Sequence, residues 1–356
     1  MVSLSTHARV AHCWALLAVL AALVLAACNQ DTPPPNRGAD FGDQKNHIHT
    51  MITVPGKPGL ILLGTHYGLY RTTDGGQHWK KVLGDPGELA ENLMTQYLTV
   101  SPVNPQRIWV EAISFQDLPT QHAGVAGIYT STDDGATWSL ATPLSSLPSP
   151  SIYYMTAGAQ SEQQLYIYLQ GLQANGLYET MDAGAHWQAL GALPDTESLG
   201  LIADPTQAGH LFVYSEAGLF SSTDNGAHWQ SAPGVKDGIS RALLVKSMLY
   251  ASGDDGTFVS QDGGAQFALM GSATFQYLAS SPTNSTTVFG LSGSSFSQTT
   301  DGGQHWRTLS IPASRLFFAN LAVDPSNGQQ VYLGNSYPVV VYSSADGGQH
   351  WSQIAP

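Results

Sequence analysis

One eight-residue phrase returns seven times along this 356-residue chain, and its fullest form reads Ser131-Thr132-Asp133-Asp134-Gly135-Ala136-Thr137-Trp138. The other copies run Thr72 to Trp79, Thr180 to Trp187, Ser222 to Trp229, Ser260 to Phe267, Thr299 to Trp306 and Ser344 to Trp351. Their aspartates, Asp74, Asp133, Asp182, Asp224, Asp262, Asp301 and Asp346, lie 59, 49, 42, 38, 39 and 45 residues apart. A unit of that size cannot bury its apolar face alone, so units repeated at this period must stack on one another. The interval suits a blade of four short strands. Seven copies therefore predict an all-β, seven-bladed β-propeller of four-stranded blades.

Each phrase follows a β-rich run such as Gly68-Leu69-Tyr70-Arg71 and leads into another such as Trp79-Lys80-Lys81-Val82, which places it at a hairpin. The Asp carboxylate and the Ser/Thr hydroxyl are suited to bond the turn's own backbone, and Gly at the fifth position supplies a positive φ. The aromatic at position eight, Trp79, Trp138, Trp187, Trp229, Phe267, Trp306 or Trp351, is expected to pack between its own blade and a neighbour. This phrase is the Asp-box, or BNR repeat, and over residues 47–356 the chain resembles single-propeller Asp-box proteins. The resemblance implies an Asp-box in the hairpin between the third and fourth strands of each blade. It leaves the chemistry open, because sialidases, xyloglucan hydrolases, sortilin-type receptors and non-enzymatic assembly factors share the repeat.

No linker-like break divides the repeat region, so it reads as one domain whose ring closes by packing blade 7 on blade 1. Charged residues make up only 11% of the chain and the formal charge is −13, a balance that excludes nucleic acid as a partner. The N-terminus carries an apolar run from Trp14 to Ala27, too short to span a bilayer, after a weakly basic stretch containing Arg9. It reads as a signal peptide over 1–27. The run ends Leu25-Ala26-Ala27-Cys28, which resembles a bacterial lipobox, and the resemblance implies a lipid anchor on Cys28. The alternative is an ordinary signal peptide followed by a chance cysteine. Residues 28–46, with Pro33-Pro34-Pro35, form a polar linker reaching roughly 20–25 Å. The expected location is the bacterial cell envelope, exported and tethered to the membrane.

With the boxes between the third and fourth strands, the turns between the first and second strands share their face. The opposite face, over the central channel, is where a ligand site is expected. Its loops carry two insertions, Gly84 to Glu91 and Phe115 to His122. It also carries the aromatics Tyr67, Phe115, Tyr153 and Tyr337, which are equally suited to core packing. Five of the twelve histidines, His78, His186, His228, His305 and His350, occupy the seventh box position and read as surface turn residues. His47 and His49 share one face of the first strand, and His66 ends the second, so the three imidazoles should meet near the channel mouth. Three neutral imidazoles can ligate a transition metal such as Zn²⁺ with a position left open, or can form a polar cluster closing the top of blade 1. The segments His47-Ile48-His49 and Thr65-His66-Tyr67-Gly68-Leu69 resemble bacterial Asp-box proteins labelled glycosylhydrolases.

A sialidase needs three convergent arginines, whereas only Arg241 and Arg315 start blades near the ligand face. A more general glycoside hydrolase needs two carboxylates about 5–10 Å apart. Candidates are Glu111, Glu216 and Asp254, with Asp255 beside the last and Glu88, Glu91 and Asp117 on the insertions. The bland alternative reads Asp254-Asp255-Gly256 as a tight turn and the glutamates as solvated loop charges. The lipoprotein signal and single seven-bladed ring also resemble photosystem II assembly factors, although this chain is poor in arginine and acidic. The sequence thus favours a membrane-tethered binding or assembly propeller for a protein or glycan ligand, with a carbohydrate-active hydrolase as the alternative.

Overall fold

The computed structural model describes residues 41 and 45–355, apart from 115–123, 172–174, 196, 237, 294, 313–319 and 338. Seven four-stranded antiparallel sheets follow one another along the chain, each from one contiguous segment. Blade 1 comprises strands A to D at Ile48–Thr53, Ile61–Thr65, Gly68–Thr72 and Lys80–Leu83, and blade 7 closes the series with Asn320–Asp324, Asn327–Asn335, Val340–Ser344 and Ser352–Ala355. The A strands touch in sequence around the channel, including the A strands of blades 7 and 1. The B strands of blades 1, 3, 4 and 5 are buried throughout because both sheet faces meet a neighbouring blade, whereas the D strands form the more exposed rim.

Seven apolar clusters account for the stacking, one at each junction between blades. Every cluster includes the box aromatic of the later blade in the pair, as expected. Trp138 packs with Leu62 of blade 1 and Val110 of blade 2, and Phe267 packs with Phe212 of blade 4 and Leu249 of blade 5. The ring closes in the same way, with Trp79, Ile61 and Leu63 meeting Tyr332 and Val341 of blade 7. Thr53 Oγ1 donates to Val323 O at 2.8 Å and Ser336 Oγ to Ile48 O at 3.0 Å across this seam. Phe41 joins the seam as well. It is buried and lies 4.4 Å from the Tyr70 ring, edge-on to Trp79 at 5.6 Å.

In each box the first-position hydroxyl donates to the Asp Oδ1 at 2.7–2.9 Å. The same hydroxyl accepts from the fifth-position amide at 2.7–3.0 Å. The fourth position also has a positive φ, and three boxes place Asp134, Ala183 or Asn225 there rather than glycine. Its amide donates to a carbonyl of the turn between strands A and B in six blades, for example Gly75 N to Gly59 O at 2.9 Å, and in blade 7 Gly347 N donates to Gln329 O near the start of strand B. Boxes and A–B turns therefore share one face. The five box histidines are exposed, yet each places Nδ1 2.6–2.7 Å from its own aspartate Oδ2. Backbone and ring bonds from His228 and His305 hold the Asp224 and Asp301 carboxyls at about 2.

Candidate functional site

The opposite face is shaped by a feature of the A strands. In blades 1 to 5 the pairing of strand A with strand B slips near the channel mouth, between Ile48 and Thr50, Thr95 and Leu98, Ile152 and Tyr154, Ser198 and Gly200, and Ile239 and Arg241. Such a bulge leaves an extra residue unpaired and re-aims its side chain. The extra residues are His49, Gln96 with Tyr97, Tyr153, Leu199 and Ser240. Tyr153 is 46% exposed and Leu199 37%, which makes them conspicuous apolar surface at the end of a packed ring.

Tyrosines dominate the arc from blade 2 to blade 6. The Tyr97 and Tyr154 rings lie 6.2 Å apart, and Tyr153 stands 5.8 Å from Tyr154. Tyr214 joins them from strand B of blade 4, since a Cβ on Gly200 would fall 2.1 Å from its Cζ; only glycine lets that ring cross strand A. The Arg241 guanidinium lies 5.9 Å over the Tyr277 ring, and its buried Nε has no hydrogen-bond partner among the described residues. Burial, followed by the charges of Glu111, Tyr153 and Tyr214, pushes the Tyr97 phenol well up. These tyrosine rings present large, rigid, amphipathic surfaces.

The candidate carboxylates do not form one set. Glu111 sits in strand B of blade 2 (Ile108–Ser114), 2% exposed, where burial alone pushes its carboxyl up to about 8 and Oε2 is unbonded. Glu216 and Asp254 are exposed in the B–C turns of blades 4 and 5. Burial raises Glu216, with the charges of Asp254, Asp195 and Glu197 adding to it. The charge of Asp254 reaches Glu216, whereas burial is the cause of the Glu111 shift. Asp255 pairs with Lys236 at 3.2 Å. On the first insertion, Glu88 accepts from the amides of Gly84 at 2.8 Å and Asp85 at 3.1 Å, and Glu91 from Gly87 at 2.8 Å. Both glutamates fasten their loop. Phe115, Asp117, His122, Arg315 and Cys28 lie outside the described residues.

The three histidines of blade 1 do meet. Their candidate ligand nitrogens all lie within 4.8 Å of one another. The His47 ring is 4.4 Å from His49 and stacks on His66 at 4.7 Å, and Tyr337 of blade 7 stacks over it at 5.1 Å. Tyr67 stands edge-on to His66 at 5.3 Å. His66 N donates to His47 O at 3.0 Å, locking the two strand ends together. Burial, with mutual repulsion behind it, lowers His49 to about 3 and His66 to about 4, and burial lowers His47 too. All three are therefore neutral at physiological pH, the form in which imidazole binds a metal.

No family model matches this chain, and no curated protein matches it. Solved structures do share its fold. The GH74 xyloglucanase from Xanthomonas campestris superposes with a TM-score of 0.68 at 15% identity over 90% of this chain, which spans 55% of that enzyme. YCF48 from Cyanidioschyzon merolae superposes with a TM-score of 0.58 at 15% identity, covering 88% of this chain and 98% of its own. YCF48 bound to D1 peptide gives the same TM-score at 16% identity, over 88% of this chain and 99% of that one.

Proposed function

We propose that the protein is a membrane-tethered Asp-box propeller that binds a peptide or a glycan at the channel mouth opposite the boxes. The observation that carries this reading is the arc of Tyr97, Tyr153, Tyr154, Tyr214 and Tyr277, with Arg241 over the Tyr277 ring. Tyrosine and arginine are the side chains that concentrate binding energy in a recognition site, and a guanidinium whose Nε has no partner among the described residues is suited to a carboxylate or another planar anion. A neighbour of similar length, YCF48, holds a peptide on the same architecture. The alternative, glycoside hydrolysis, draws support from Glu111, whose raised carboxyl suits a general acid. Among the described residues no second carboxylate acts beside it.

Peptide and glycan arrays probed with the wild type, Tyr153→Ala and Arg241→Ala test the reading. Retained ligands should weaken at least about tenfold in both variants, with no sugar released from any bound glycan. Ligand binding indifferent to both substitutions would remove the proposed site, and turnover of a glycan lost in Glu111→Gln would establish the hydrolase instead. The tether is read from Leu25-Ala26-Ala27-Cys28. Cys28→Ala should move the protein from the membrane to the soluble fraction, and unchanged fractionation would refute it.

A further inference from the structure

We propose that His47, His49 and His66 form a three-imidazole site for a late first-row divalent cation, Zn²⁺ or Cu²⁺, at the seam between blades 1 and 7. Three nitrogens within 4.8 Å of one another share a centre no more than about 2.8 Å from each. That is about 0.7 Å beyond the roughly 2.0–2.1 Å of a metal–imidazole bond, a gap that small side-chain rotations close. Nitrogen donors of this kind suit Zn²⁺ and Cu²⁺ ahead of Mg²⁺ or Ca²⁺, which prefer oxygen.

Three observations go beyond proximity. His47 already has Nδ1 3.2 Å from Lys45 O, the outer-shell carbonyl contact that fixes a ligating tautomer and makes Nε2 the candidate donor. His49 is the bulged residue of its strand, and its buried Nε2 has no hydrogen-bond partner among the described residues. A hydrogen-bonded structural cluster would bond that nitrogen; a metal site leaves it for the ion. The backbone beneath is fixed by His66 N to His47 O and by Ser336 Oγ to Ile48 O, so the donors are preorganised. Three protein ligands leave a fourth position for water or an incoming donor.

The site uses none of the residues of the tyrosine arc, so its failure would leave the ligand-binding reading intact. The test uses the full chain in detergent, stripped with chelator and reloaded separately with Zn²⁺ and Cu²⁺. Bound ion is counted by elemental analysis and affinity measured by chelator competition. One tightly held equivalent is expected, with several nitrogen ligands visible in the Cu²⁺ electron paramagnetic resonance spectrum. His49→Ala and the milder His47→Gln should each weaken it by more than the ~10–100-fold that loss of an outer-shell partner brings. His305→Ala, in an exposed box, should leave affinity unchanged. Near-UV circular dichroism checks each variant's fold, and His47→Gln carries the test if His49→Ala does not fold. Retention of no ion by the wild type, or undiminished binding in His47→Gln, would overturn the assignment.

Discussion

Glu111→Gln is predicted to alter the pH dependence of stability in a way set by burial alone. In the unfolded chain this carboxyl ionises near 4.5, whereas in the fold it holds its proton until about 8. Between those values the folded state carries a proton the unfolded state has released, so stability falls as pH rises. The contribution is fully present below about 4.5 and is lost through about 8, with a limiting slope of about 1.4 kcal/mol per pH unit. By pH 7 the wild type should have lost on the order of 3 kcal/mol, and at pH 5 less than about 1 kcal/mol.

Glutamine keeps the shape and cannot ionise, so it removes this slope. Its amide adds a donor to a site where Oε2 already lacks a partner, a penalty of about 1–3 kcal/mol that does not vary with pH. The readout is therefore the difference between the two proteins as a function of pH. Urea unfolding followed by tryptophan fluorescence at pH 5, 6, 7 and 8 should show the variant gaining about 2–3 kcal/mol on the wild type between pH 5 and 7, with equal m-values. The box carboxylates and histidines occur in both proteins and cancel. A pH-independent difference would mean that Glu111 is ionised in the native state, and the account of the channel wall would fail.

Two further substitutions probe the frame. Phe41→Ala should cost about 2–4 kcal/mol by emptying the seam beside Tyr70 and Trp79, measured as a lower urea midpoint; an unchanged midpoint would mean that the ring closes without it. Ala183 has φ 59° where four other boxes have glycine, so Ala183→Gly should raise stability by about 0.5–1 kcal/mol, and a lowered midpoint would show that its methyl packs productively.

The frame was legible because the box is a local device with a long-range consequence. Its hydroxyl, carboxylate and glycine specify a turn, and its aromatic must leave that turn toward the next blade, so seven copies imply seven junctions. The histidine cluster was legible for a related reason: alternation along strand A and antiparallel pairing with strand B bring positions 47, 49 and 66 together whatever the loops do. Other features left no such trace. A run such as Ile108-Trp109-Val110-Glu111 does not reveal that both faces of its strand are covered, so Glu111 read as a ligand-face charge when it is buried. The A-strand bulges need no glycine and break no pattern over so few residues. Phe41 lay in a stretch whose composition reads as linker, and its role depends on a gap between Tyr70 of blade 1 and Val341 of blade 7, 271 residues apart in the chain.

Every box aspartate accepts at least two bonds within its own turn, so the box carboxylates are satisfied locally. At the mouth, Asn46, His49 Nε2, Glu111 Oε2 and Arg241 Nε are buried without partners among the described residues. Each such atom costs about 1–3 kcal/mol, a burden that the seven apolar junctions are large enough to carry. At the mouth they fall where the A strands bulge and the tyrosine rings gather. A partner that bonds the guanidinium and covers those rings, and an ion that takes the histidine nitrogens, would remove separate parts of the same cost.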